Sequence, residues 1–303
     1  MKIAILAVLC LLASPGSAQD EHKLLAERRP DEIGRLIQEA AKVPEFGKRI
    51  EDLSRAYLGV PFKWGPLGEG AGRAGAFDGD PLMDFSSVDC VTFVEQTMAM
   101  ARARDLKSMQ RELNRIRYKD GKISYASRNH FPELDWLPNN IAAGYLKDAT
   151  GEIAGTDVKT ATKTIKKRDW YLAKSTSNLE GPDAAALGED EKARRARAWR
   201  ALGEGFQDET ASIPYLPMDK LPAHLDAVPS GAVVSIVRED NPKMPVLISH
   251  QGFFIRKDGV PYFRHASFNA KVIDVPFLEY FYKYYGSSWR VVGLNVALPL
   301  PAR

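Results

Sequence analysis

Apolar and polar positions follow two different periods along this chain, and the change of period divides it. Over residues 22–57 the apolar positions Leu36, Ile37, Ile50, Leu53 and Tyr57 keep helical spacing on either side of Pro44, which predicts two helices. From Cys90 the apolar residues Val91, Val94, Met98 and Ala101 recur three and four apart, predicting an amphipathic helix that buries one stripe. After Ile213 the pattern turns to short strands: GAVVSIVRED, VLISHQGFFIRKDGVPYFRHASF, VPFLEYFYKYYG and WRVVGLNVAL. Helices early and an antiparallel sheet late predict an α+β fold.

The stretch between them is mixed. SMQRELNRIRYKDGKISYASRNHFPELDWL predicts a short helix, a turn at Asp120-Gly121 and a strand closed by Arg128 and His130 near Trp136. Residues 151–180 alternate with many Thr and Lys and read as a half-exposed strand region, and residues 183–206 read as an Ala-rich helix whose charges form a solvated face. Together these pieces, about 107–212, are expected to be a large insertion in a single domain spanning 19–303. No internal repeat is visible.

The first residues change the compartment. MKIAILAVLCLLASPGSAQD carries Lys2, an apolar run from Ile3 to Leu12 and small residues ending at Ala18, the pattern of a secretory signal over 1–18 cleaved after Ala18. The expected location is periplasmic or secreted. Cys10 leaves with this segment, and Leu9 stands before it where a lipid-attachment site wants a small residue. Cys90 is then the one remaining thiol, so no intramolecular disulfide can form. No later stretch has the 18 or more apolar residues of a membrane helix. The net charge of +3, from which signal removal takes only Lys2, is too small for nucleic-acid binding, and 45% hydrophobic content is ordinary for a globular core.

Chemistry concentrates at three positions. Cys90 falls in the first turn of its predicted helix, where unpaired N–H groups and the helix dipole favour a thiolate below the free value of about 8.5. Asp89 or Ser87 can cap that helix. A lone cysteine is also often an inert buried hydrophobe. Of the five histidines, His250 and His265 flank HQGFFIRKDGVPYFRH, a hairpin pattern with an Asp258-Gly259 turn. That turn places His250 opposite Ser267 and His265 on the diagonal of the same face. A helix-start cysteine facing two such imidazoles has the parts of a Cys-His nucleophile; separately packed histidines are the bland alternative. Zinc wants three or four ligands at short spacings, and neither HxxxH nor CxxC occurs, so no metal is expected. The Gly- and Pro-rich run GVPFKWGPLGEGAGRAG is expected to wall a cleft, with Trp64 and Glu69 touching a ligand.

In order, YLGVPFKWGPLGEG, DCVTFVE, SGAVVSIV, SHQGFFI and FRHAS resemble the NlpC-type peptidoglycan cysteine hydrolases, a papain-like superfamily. The LGEG loop, the SRNHF segment and the insertion look more like its N-acetylmuramoyl-L-alanine amidase-like branch. The resemblance, over about 55–298, implies a papain-like α+β fold with the cysteine helix packed on an antiparallel sheet. It makes Cys90 the nucleophile, His250 the general base and His265 the group that orients it, with no cofactor and a peptidoglycan or muropeptide substrate. Trp64, Glu69, Asp89, Arg128 and His130 are the expected substrate contacts. Two positions depart from the family pattern. Phe62 stands where Tyr is usual, and Ser230-Gly231-Ala232 where Gly-Asp usually opens the strand. The other readings are a γ-D-glutamyl-diamino acid endopeptidase and a non-catalytic wall-binding module.

Overall fold

The structure is a computed structural model that describes residues 23–302. The expected signal peptide therefore lies outside the described residues. The helices are α1 (Pro30–Ala41), α2 (Phe46–Arg55), α3 (Cys90–Arg102), α4 (Leu106–Arg117), α5 (Leu137–Ala142), α6 (Thr150–Ala154), α7 (Lys167–Leu172), α8 (Glu189–Gly203), α9 (Leu221–His224) and α10 (Phe277–Tyr282). The strands are β1 (Leu146–Asp148), β2 (Lys159–Ile165), β3 (Glu209–Pro217), β4 (Val233–Arg238), β5 (Ile248–Lys257), β6 (Val260–Ala266), β7 (Val272–Pro276) and β8 (Val291–Pro299). They form one antiparallel sheet in the order β2-β3-β8-β4-β5-β6-β7, with β1 also pairing β8. Among the described residues no helix is long and apolar enough to cross a membrane.

At its centre the sheet is buried on both faces, which explains why its central strands read as nearly unbroken apolar runs. Val233, Phe253 and Ile255 face a core shared with α1 to α4, while Val234, Ile236, Phe254 and Phe263 face a second core capped by Phe277, Tyr280 and Phe281 of α10. The β5–β6 hairpin turns at Asp258 and Gly259, whose φ values of 50° and 83° suit the two-residue turn expected there.

Helix α3 corrects the expected amphipathic stripe. Ten residues on every side of it are buried besides Cys90, because α2, α4 and β5 all pack against it. Its one carboxylate is paired inside the core: Glu95 accepts from Arg117 at 2.8 Å and from the Trp136 indole at 3.0 Å.

Three local expectations also change. The strand expected after Gly121 is instead a short helical turn, Tyr125–Ser127, capped by Ser124, because Tyr125 turns inward onto Trp170, Tyr171 and Trp199. A π-helical turn, Pro132–Trp136, then leads into α5. The region 151–180 is strand only over β2, with α7 following. The run after Val275 is helical, since Phe277, Tyr280 and Phe281 fall on one face three and four apart and cap the second core. The segment 107–212 also contributes to the common sheet, as β1 pairs with β8 and β2 pairs with β3, which runs on past the segment to reach β8.

Candidate active site

Cys90 is the first residue of α3. Asp89 precedes it as the cap: its Oδ1 accepts from the Thr92 N–H at 2.8 Å while Thr92 Oγ1 accepts from the Asp89 N–H at 2.9 Å. The second carboxylate oxygen of Asp89 accepts from the Gly65 N–H at 3.2 Å, which ties the glycine-rich loop to the cysteine helix. Both roles come from one side chain, so Asp89 fixes where the thiol stands relative to the loop.

The histidine pair arrives from the sheet. His250 opposes Ile236 on β4, and the next pair is Val237 with Ile248, so Ser249 is an unopposed bulge residue directly before His250. Bulges of this kind re-aim side chains. Arg238 Nε donates to the Ser249 hydroxyl at 2.8 Å and fixes the bulge. His250 Nε2 lies 2.8 Å from His265 Nδ1, with the rings nearly perpendicular. His265 is 2% exposed and stacks on Phe263. The approach needs Gly252, because a Cβ there would sit 2.5 Å from the Arg264 carbonyl oxygen and 2.8 Å from the Phe263 ring.

Cys90 and His250 line the same cavity of about 360 Å³, together with Trp64, Asp89, His130, Phe131, Trp170, Gln251 and Trp289. Glu133, on the π-helical turn, braces this wall by accepting from the Leu247 N–H at 2.6 Å and the Ile248 N–H at 3.4 Å. Of the expected contacts, Trp64 is 72% exposed at the rim, and Asp89 and His130 are in the wall. Glu69 and Arg128 do not line the cavity. Glu69 is 2% exposed and pairs with Arg128, which also binds Asp78 at 2.8 Å, so the two lock the glycine-rich loop. Among the described residues His130 hydrogen-bonds only through Nε2, 2.8 Å from the Tyr125 carbonyl. Because a carbonyl can only accept, that nitrogen carries the proton. Trp170, Phe131 and Trp289 escaped the sequence reading; aromatic residues in otherwise charged runs such as KKRDWYLAK were the available signal.

The electrostatics correct one expectation. Burial, and then the Asp89 charge, push the Cys90 thiol up to about 12, although the N–H groups of Gln251, Val91 and Cys90 itself pull downward. The helix terminus is real, but desolvation outweighs it at a residue only 9% exposed. Burial, followed by the charge on His265, holds His250 well below 6.5. Burial, followed by Lys283, brings His265 down to about 4. At neutral pH the site therefore rests as a neutral thiol beside two neutral imidazoles.

Among the described residues, one group of carboxylates is close enough to hold a cation: Asp78, Asp80 and Glu180 place oxygens within 4.8 Å of one another. It lies outside the Cys90 cavity, and Arg128 already neutralises Asp78.

Residues 52–286 match the family described as AmiA-like, N-acetylmuramoyl-L-alanine amidase-like. The chain belongs to that family. This AmiA-like chain is also similar to a crystal structure of a Legionella pneumophila str. Philadelphia 1 protein, with 29% identity, 90% of this chain and 94% of that chain covered, and a TM-score of 0.83. A structure named N-acetylmuramoyl-L-alanine amidase from Bacteroides uniformis shares the fold at 24% identity and a TM-score of 0.62, covering 84% of this chain and 98% of that chain. Comparison with curated proteins gave no match. Membership makes the AmiA-like chain part of an amidase-like, peptidoglycan-related family.

Proposed function

We propose that this AmiA-like chain is an exported cysteine amidase that cleaves the bond between the muramoyl lactyl group and L-Ala in peptidoglycan or its fragments. The observation that carries the reading is the shared cavity with Cys90 at a helix start on one wall and His250, hydrogen-bonded to His265 behind it, on another. On this reading the fold is of the papain-like NlpC type, with residues 107–212 as an insertion in one catalytic domain and 1–18 as the export signal.

The neutral resting state sets the order of events. With Nε2–H of His250 donating to His265 Nδ1, Nδ1 of His250 is left to accept the thiol proton. Proton transfer accompanies attack of Cys90 sulfur on the lactyl carbonyl, so the charges appear only as the tetrahedral adduct forms. The N–H of Cys90 and its neighbours on α3 face that adduct's oxyanion. The C–N bond then breaks, His250 returns the proton to the departing L-Ala amine, and water hydrolyses the thioester by the same base. His265 orients His250 and touches no substrate. Phe62 provides no hydroxyl for a free L-Ala amine, which favours a substrate whose L-Ala is acylated, and the exposed Trp64 ring offers an apolar face to the sugar.

Incubation of the purified protein with a muramoyl tripeptide and with the matching free tripeptide tests this. The reading expects the intact tripeptide from the first and little reaction with the second. Release of the third residue with L-Ala still on the sugar would falsify it in favour of the γ-D-glutamyl endopeptidase.

A further inference from the structure

The Cys90 cavity contains no lysine or arginine in its wall, yet a muramoyl peptide carries carboxylates beyond L-Ala, because a γ-linked D-glutamyl residue leaves its α-carboxylate free. A second cavity of about 440 Å³ adjoins it and supplies the missing charge. Phe131, Trp170, Met244 and Pro245 belong to both walls, so the two spaces are immediate neighbours.

Three lysines line the second cavity, and they are not equivalent. Lys163 is buried and already held, 2.5 Å from Asp240 and 3.1 Å from the Asn241 carbonyl oxygen, so it braces the 240–245 loop. Lys166 and Lys243 are exposed, and neither has a carboxylate partner among the described residues. They come from different elements, one directly after β2 and the other on the loop after β4. Asp169 is the one lining acid that no lysine neutralises.

We propose that this second cavity is the subsite for the stem peptide on the leaving-amine side of the scissile bond, with Lys166 and Lys243 pairing with its carboxylates. The shared apolar wall covers the aliphatic part of the peptide, and the two cations read the charge beyond it. Substrate polarity follows: sugar toward Trp64, peptide toward the lysines. A neutral glycan would gain nothing from two unpaired cations, whereas an acidic peptide does. The assignment deepens the amidase reading and rests on it for the direction of the substrate.

The test is calorimetric binding of two ligands, muramoyl-L-Ala-D-Glu and its uncharged α,γ-diamide, to the full chain carrying Cys90→Ala, which removes turnover. The same measurement is made after adding Lys166→Gln and Lys243→Gln. We expect the double lysine variant to bind the carboxylate ligand about tenfold more weakly, as two partly exposed ion pairs would give. The amidated ligand should bind equally before and after the change, and raised salt should weaken only the carboxylate ligand. Equal losses on both ligands, or no loss on either, would overturn the subsite. Activity of the chain with Cys90 intact is read separately: failure to cleave either ligand would contradict the amidase reading while leaving the binding result to decide the subsite.

Discussion

Replacing His265 should remove one step from the pH dependence of stability. Unfolded, this side chain takes up a proton near pH 6.5; folded, burial and the nearby Lys283 delay protonation to about 4, with a hydrogen bond to the Ala266 backbone and then Asp274 opposing them. Between those values the unfolded chain binds more protons, so this contribution to stability is complete above pH 6.5 and is lost as pH falls. From pH 7.5 to 5 the loss for one such group is about 2 kcal/mol, at 1.36 kcal/mol per unit. His250 and His130 are also held well below 6.5 and contribute in the same direction, whereas buried Glu95 and Glu133, raised by burial, contribute in the opposite one. Subtraction removes the groups that do not touch this pair and leaves His265 together with its effect on His250. Urea unfolding of wild type and His265→Asn at pH 7.5, 6 and 5 provides the measurement. The gap between the two curves should narrow by about 2 kcal/mol as pH falls. Parallel curves would mean that His265 titrates normally in the folded chain and that its buried neutral state is wrong.

Three further outcomes follow from the same geometry. His250→Ala should cost about as much activity as Cys90→Ala, while His265→Ala keeps measurable turnover, since one residue moves the proton and the other holds a ring; steady-state rates in the reverse order would exchange the two roles. Alkylation of Cys90 by iodoacetamide in the absence of substrate should be slow at pH 7 and still climbing above pH 9, and a rate that levels off by pH 7 would show a standing thiolate. Glu133→Ala leaves the Leu247 and Ile248 N–H groups without their acceptor inside the protein, so thermal or urea unfolding should report a loss of about 2–3 kcal/mol; stability unchanged within error would remove Glu133 from the scaffold of the His250 strand.

What was legible in the chain is what short-range rules determine. The Asp258-Gly259 turn fixes hairpin register, and register alone carries His265 to the diagonal of His250. Asp89 and Thr92 announce the start of α3 through a reciprocal cap. Long-range packing was not legible. Burial of α3 on all sides depends on α2, α4 and β5 together, and it reverses the sign of the expected shift at Cys90. Tyr125 leaves the expected strand to meet Trp170 and Trp199, partners set far along the chain. The run from Phe277 to Tyr282 is short and apolar, and such runs fit strand or helix until the neighbouring core is known. Glu69 shows the same limit at the site: its loop position suggested a ligand contact, but Arg128 takes its carboxylate into the interior.

The account turns on a thioester between Cys90 and the acyl half of the substrate, and the mass of that adduct identifies both the nucleophile and the bond. Wild type mixed with a muramoyl tripeptide, quenched in acid within the first turnover and analysed as intact protein and then as peptides, gives that mass directly. The account predicts an adduct on Cys90 equal to the muramoyl lactyl group alone. An adduct that also contains L-Ala and D-Glu, an adduct on another residue, or the same product formed by Cys90→Ala would contradict it.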